Sequence, residues 1–296
     1  MRNAEGGMRS GPGKFFPYSP FRTCIEKMIT SKGNLRVKEI RLLKLAKYRK
    51  ARREYFIEGV RLVEEALQTP GLFRQVVHSP RLEKTKRGAE LLSIARSKAR
   101  EAGWLYVNDE VLGGICDTQN HQGILAVLKM REGHEEEIWK REGMILILHD
   151  LQDPGNLGTI FRVAEAGEAA GVILSQNTID PYNPKVLRAS MGSLFRVPFR
   201  IDPDIQDGLG KLSSQGYRLW AAAVRGGPSL WEVDFSPPTA VLFGQEGSGL
   251  PPDLLEGAYG SFTIPMAPGV DSLNVAIAAG LVIYEAARQK REKRGR

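Results

Sequence analysis

The chain has 296 residues, which at roughly 150 residues per domain points to two domains. Hydrophobic residues make up 42% and charged residues 26%, proportions that exclude collagen-like, mucin-like and wholly disordered classes. The net charge of +8 is unevenly spread: residues 1–143 hold 28 Lys+Arg against 18 Asp+Glu, or +10, and residues 144–296 hold 14 against 16, or −2.

Residues 1–27 carry Gly, Pro, Arg and aromatics without a continuous apolar segment ahead of a small-residue cleavage site, so they read as a disordered leader rather than a secretory signal. Met8 or Met28 would serve equally as a start, and the expected location is the cytoplasm. Residues 28–130 form the first expected domain. Its opening stretch 32–53 sets ten basic residues against Glu39, a density that suits a polyphosphate partner as well as it suits a solvated helix face. Residues 36–50 place Val37, Ile40, Leu42, Leu43, Leu45 and Ala46 near a helical stripe; 57–68 and 87–103 also have helical spacing, and Gly103 stands where a C-cap would. Strands are expected at 72–79, 104–107 and 123–130. The charged, Gly-flanked segment 131–143 reads as a linker.

From Met144 short apolar strands alternate with helical segments, the pattern of a parallel sheet covered on both faces. Strands are expected at 144–149, 172–175, 194–198, 217–223, 239–244 and 261–265, and helices at 156–170, 184–191, 205–215, 252–257 and 274–290. The longest apolar run, Val275 to Tyr284, is about half of the roughly 20 residues that a membrane-spanning helix needs. Cys24 and Cys116 form no C-x-x-C pair, and His78, His121, His134 and His149 lack the short spacings of a zinc site, so no metal is expected. The chain ends in a basic tail: 288–296 holds six basic residues and one acidic, which leaves 144–287 at 8 against 15, or −7. A nucleic acid partner would therefore be gripped by the first domain and presented to the second.

Ligands of such sheets bind outside the carboxyl ends of the strands, and three loops there carry unusual residues. In 148–167, Pro154-Gly155 makes a turn and Asn156 can cap a helix. Arg162, five residues after Leu157, lies roughly 140° round from the buried face at about 100° per residue. It suits a site, or a surface pair with Glu165 or Glu168. In 241–255, Gly244, Gly247 and Gly249 surround Glu246; the spacing is neither G-x-G-x-x-G nor a P-loop, and a tight turn explains the glycines as well as a ligand does. In 264–289, Asp271, Ser272 or Asn274 can cap a helix of small residues.

Taken in order, these loops resemble the three signature motifs of the SpoU (TrmH-like) branch of the SPOUT RNA methyltransferases. The residues that carry the likeness are Asn156, Gly158 and Arg162, then Gly244, Glu246, Gly247, Gly249 and Leu250, then Ile264, Pro265, Met266, Ser272, Leu273 and Asn274. The segment 183–199 is similar to the family's middle region, so the likeness spans 144–290, with 291–296 as a basic tail outside it. Upstream, 29–34, 55–67 and 118–127 look like the substrate-binding domain of many members, a small α/β fold related to RNA-binding ribosomal proteins. The resemblance implies a parallel sheet with helices on both faces, a trefoil knot near the carboxyl end and a homodimer formed by the catalytic domains. It also implies methyl transfer from S-adenosylmethionine to a ribose 2′-hydroxyl of structured RNA, ribosomal RNA being preferred and transfer RNA the alternative.

Site residues follow from the same resemblance. Asn156, Arg162, Glu246, Ser272 and Asn274 form the polar set around the reacting hydroxyl. Phe243, Gly244, Glu246, Gly247, Gly249, Ile264, Met266 and Leu273 hold the cofactor. The arginine of the first motif is the family's proposed general base; since a guanidinium stays protonated, electrostatic stabilisation of the alkoxide by Arg162 is the alternative, with the proton going to water, phosphate or Glu246. Lys47, Arg49, Lys50, Arg52 and Arg53 are the expected RNA contacts. Two other classes weighed against this are a catalytically silent RNA-binding assembly factor of the same fold and a dinucleotide-binding oxidoreductase.

Overall fold

The structure is a computed structural model and describes residues 27–69, 71–131 and 134–294; the leader expected at 1–27 lies almost wholly outside them. The first unit runs α1 (Leu35–Leu42), α2 (Ala46–Arg52), β1 (Glu54–Glu58), α3 (Val60–Ala66), β2 (Phe73–His78), α4 (Pro80–Glu83), α5 (Lys86–Lys98), β3 (Gly103–Tyr106), α6 (Asp109–Ile115) and β4 (Ile124–Lys129). Its four-stranded sheet has the order β1-β4-β2-β3, with only β2 and β3 parallel.

The helix expected over 36–50 is two helices, broken at Leu43–Leu45. The helix expected over 57–68 is shorter because Ile57 and Glu58 close β1, and Gly59 at φ 93° turns the chain into α3. A 3-10 helix, His134–Lys140, joins the units. It is no free tether, since Ile138 is fully buried against Gly171.

The second unit runs β5 (Ile145–Leu148), α7 (Pro154–Ala166), β6 (Gly171–Ser175), α8 (Pro184–Ser190), β7 (Phe199–Asp202), α9 (Ile205–Ser214), β8 (Arg218–Ala223), β9 (Thr239–Phe243), α10 (Pro252–Glu256), β10 (Gly260–Thr263) and α11 (Val275–Arg294). Six parallel strands lie in the order β10-β8-β9-β5-β6-β7. β5, β6 and β9 are buried along their whole length, as strands covered on both faces must be. Alternate residues feed two cores: Leu146 and Leu148 join α7, α8 and α11, while Ile145 and Ile147 join α9 and α10.

The strand expected at 194–198 is displaced. Ser193–Phe195 is a 3-10 helix whose Leu194 and Phe195 plug the core, and the strand follows at Phe199–Asp202. The first core is continuous across both units, running from Tyr55 and Leu128 to Leu187 and Phe195. No helix of the described residues is long and apolar enough to cross a membrane.

Candidate active site

The three unusual loops meet at the carboxyl ends of β5 and β9. β5 is followed by Asp150, at φ 55°, whose carboxylate accepts from Ser175 Oγ at 2.6 Å. Gln152 then donates from Nε2 to the carbonyls of Asp150 (2.9 Å) and Asn177 (3.0 Å), which stiffens the loop against the one after β6. Asn156 does not cap α7. Asp153 does, accepting from the Asn156 amide at 2.8 Å with Pro154 in the first helical position. The Asn156 side chain is thereby left for other work.

Beyond β9, Gln245 and Gly249 exchange backbone hydrogen bonds of 3.2 and 2.9 Å and close a small hairpin that presents Glu246. Gly249 sits at φ 69°, and a Cβ on Gly244 would lie 2.2 Å from the Gly249 carbonyl carbon, so both positions require glycine. Glu246 Oε1 accepts from Asn156 Nδ2 at 3.0 Å and from the Asp153 amide at 3.3 Å, while Oε2 accepts from the Gln152 amide at 3.3 Å. Partial burial alone would raise the Glu246 carboxyl, but these donors outweigh it and hold it below the usual carboxylate range.

From the third loop, Asn274 caps α11, its Oδ1 accepting from the amides of Ala276 (2.9 Å) and Ile277 (3.3 Å), and its Nδ2 donates to Asn156 Oδ1 at 2.9 Å. Asn156 therefore bridges the second and third loops. The expected polar set divides in two. Asn156, Glu246 and Asn274 are clasped to one another, whereas Arg162 and Ser272 are exposed and meet no ion-pair or hydrogen-bond partner among the described residues. Glu165, the neighbour that could have paired with Arg162, is bound to Arg196.

Of the apolar residues expected to hold the cofactor, Ile264 and Met266 are half-buried, Leu273 is exposed, and Phe243 is buried. A Cβ at Gly247 or Gly249 would meet nothing within 4 Å, so the backbone there is open to a flat ligand. Asp150, Gln152 and Asp153 join the site as well; Gln152 and Asp153 hold Glu246 through backbone amides, a role that no residue pattern advertises.

Among the expected RNA contacts, Lys47, Lys50, Arg52 and Arg53 are exposed. Arg49 is not: it is 3% exposed and its guanidinium is engaged by Asp180 and by the Leu43 and Lys44 carbonyls. It is withdrawn from the RNA-contact set, because a side chain so enclosed cannot meet a phosphate.

Comparison with known proteins matches residues 143–284 to the SpoU rRNA Methylase family and residues 34–126 to the MRM3-like substrate binding domain. A relative described as an uncharacterized tRNA/rRNA methyltransferase of Synechocystis sp. is 39% identical over 88% of this chain and 94% of its own. The chain belongs to the SpoU family. It is accordingly an S-adenosylmethionine-dependent RNA 2′-O-methyltransferase. A second relative, the 23S rRNA (guanosine(2553)-2′-O)-methyltransferase RlmP of Bacillus subtilis, is 30% identical over 87% of this chain and 98% of its own. An AdoMet-bound rRNA methyltransferase from Sinorhizobium meliloti superposes with a TM-score of 0.76 at 31% identity, covering 88% of this chain and 97% of that one.

Proposed function

We propose that this SpoU-family enzyme methylates a ribose in structured ribosomal RNA at the ring of contacts around Asn156, with Arg162 as the group that meets the reacting hydroxyl. The observation that carries the reading is the double hydrogen bond of Asn156 to Glu246 and Asn274, with an unengaged Arg162 on the same helix. Clasped groups hold the loops in place, and the free guanidinium is left for substrate. S-adenosylmethionine, when bound, supplies an activated methyl on a sulfonium. The open glycines and the Ile264, Met266 and Leu273 side chains fit its adenosine and methionine parts by shape and apolarity, and Glu246 anchors the hairpin that carries those glycines.

Glu246 is a poor proton acceptor, since its carboxyl is held low and accepts three donors. Arg162 stabilises charge developing on the ribose oxygen electrostatically, and the proton leaves to water or an RNA phosphate. Alignment of the hydroxyl with the methyl is the larger contribution asked of the protein.

Ribosomal RNA is favoured because RlmP, similar over nearly its whole length, is named for 23S rRNA. RNA is gripped by Lys47, Lys50, Arg52 and Arg53, and an open groove of about 590 Å³ extends that surface with Arg74, Lys129 and Arg131 from distant parts of the chain. A homodimer is supported by α11, where Ile277, Leu281 and Tyr284 are exposed at helical spacing beside α7. The return of the chain from the β10 edge to α7 and Asn156 supports the trefoil knot. The test is methyl incorporation from labelled cofactor into unmodified ribosomal RNA and, separately, transfer RNA, followed by mapping of 2′-O-methylated sites. Incorporation confined to transfer RNA refutes the ribosomal assignment.

A further inference from the structure

Arg49 is the most enclosed cation of the basic stretch, and its partners lie in both units. Nη1 donates to the carbonyls of Leu43 (2.9 Å) and Lys44 (2.8 Å), where the chain turns between α1 and α2. Nε and Nη2 donate to Asp180 Oδ2 at 2.8 and 2.5 Å. Asp180 belongs to the loop after β6, and its other oxygen accepts from the Tyr182 amide at 2.9 Å. That loop abuts the first-motif loop: the Ile179 amide donates to the Leu151 carbonyl at 2.8 Å and Gln152 Nε2 to the Asn177 carbonyl at 3.0 Å. The next amides along, those of Gln152 and Asp153, are the donors that hold Glu246. Direct contacts thus run from α2 to the ring around Asn156.

We infer that the Arg49–Asp180 pair is a positioning lock, fixing the RNA-gripping helix α2 against the catalytic loops so that bound ribose falls in register with Arg162. The inference rests on the proposed action on ribosomal RNA. Lys47 stands about 200° round α2 from Arg49, so the lock and part of the RNA-facing surface occupy opposite sides of one helix. Two other arginines cross between the units: Arg188 meets Glu58 at 3.0 Å, and Arg196 meets Glu65 at 2.7 Å. Their side chains are 31% and 37% exposed, and among the described residues neither is hydrogen-bonded or ion-paired to the loop that carries Asp180. A planar guanidinium reaching two carbonyls and a carboxylate is not reproduced by an ammonium, which makes Arg49→Lys a graded variant.

The experiment uses the full chain with Asp180→Asn and Arg49→Lys, in vitro transcribed 23S rRNA and labelled cofactor. In Asp180→Asn, RNA and S-adenosylmethionine affinities stay within twofold, while the single-turnover rate at saturating RNA falls at least tenfold; Arg49→Lys is intermediate. Amide hydrogen exchange quickens in 46–52 and 176–183 and is unchanged in β5. A saturated rate within twofold of the parent overturns the lock. So does a tenfold loss of RNA affinity with the saturated rate preserved, which would assign the pair to RNA binding and not to alignment of the ribose. If the parent itself transfers no methyl to this RNA, the ribosomal assignment fails; the lock is then judged by exchange alone, and unchanged exchange in Asp180→Asn overturns it.

Discussion

Arg162 stands on the solvent-facing side of α7 with Gly155 and Ala166, and no described side chain holds its guanidinium. Surface positions of that kind change stability by about 0.5 kcal/mol or less. Arg162→Ala is therefore expected to melt like the parent, to bind S-adenosylmethionine normally, and to lose methyl transfer by roughly 10²–10³-fold, the scale of removing one preorganised donor. Arg162→Lys should also fail, because a point charge lacks the planar fork; near-normal turnover in that variant would remove Arg162 from the chemistry.

Glu246 makes a different prediction. A carboxyl whose folded pKa is depressed contributes stability above its unfolded value, about 4.3, and loses it only as pH falls through the lower folded value. Cofactor affinity should owe no ionisation to Glu246 between about pH 6 and 9. Glu246→Gln, which keeps one acceptor oxygen and turns an amide toward N–H donors, should weaken binding several-fold. Titration calorimetry across that range decides it: a step in the parent that vanishes in Glu246→Gln would restore this carboxylate as a proton acceptor.

At the scale of elements, close approach explains what periodicity leaves open. A Cβ on Gly158 would come within 2.4 Å of Ala189 Cβ and 2.8 Å of the Ser190 nitrogen, so Gly158→Ala must part α7 from α8. Overpacking of this kind costs about 1–3 kcal/mol, read as a lowered melting temperature. Gly244→Ala differs, because the atoms nearest its Cβ are backbone of Gly249 and Leu250, within the glycine loop itself rather than between two helices; cofactor binding should be lost while the melt falls less than in Gly158→Ala. Unchanged affinity would reduce that hairpin to a structural turn.

The parallel sheet was legible because short apolar runs such as Ile145–Leu148 and Ala240–Phe243 alternate with segments of helical spacing, as strands covered on both sides do. The strand expected at 194–198 went astray because Leu194, Phe195 and Val197 are just as apolar when they plug a core from a turn. β1 was hidden because the helical spacing of 57–68 absorbed Ile57, and only the left-handed Gly59 separates the two elements. Of the site, residue types and loop order were legible. That Asp153 rather than Asn156 caps α7 follows from Pro154 at the first helical position, a signal the sequence does carry. Arg49 could not be separated from its basic neighbours by sequence, since its partner lies 131 residues away.

For the whole molecule, charge and packing impose different constraints. The shared core from Tyr55 to Phe195 means that deleting residues 1–143 would uncover apolar side chains of the catalytic unit, so the division of labour is best tested in the full chain. Neutralising Lys47, Lys50, Arg52 and Arg53 should weaken RNA binding and flatten its salt dependence, by roughly 0.7–0.9 of log-log slope for each phosphate no longer neutralised. S-adenosylmethionine affinity should stay unchanged, because none of the four lies among the loops around Asn156. The competing surface is the tail. Gln289 donates to the Val233 carbonyl and accepts from the Phe235 amide, and Lys290 pairs with Glu142, so truncation after Lys290 removes the charges of 291–296 without cutting those ties. Filter binding of 23S rRNA across a salt series compares the two variants. A slope flattened by the truncation alone would move the docking surface from α2 to the end of α11, and the charge asymmetry between the units would lose its functional meaning.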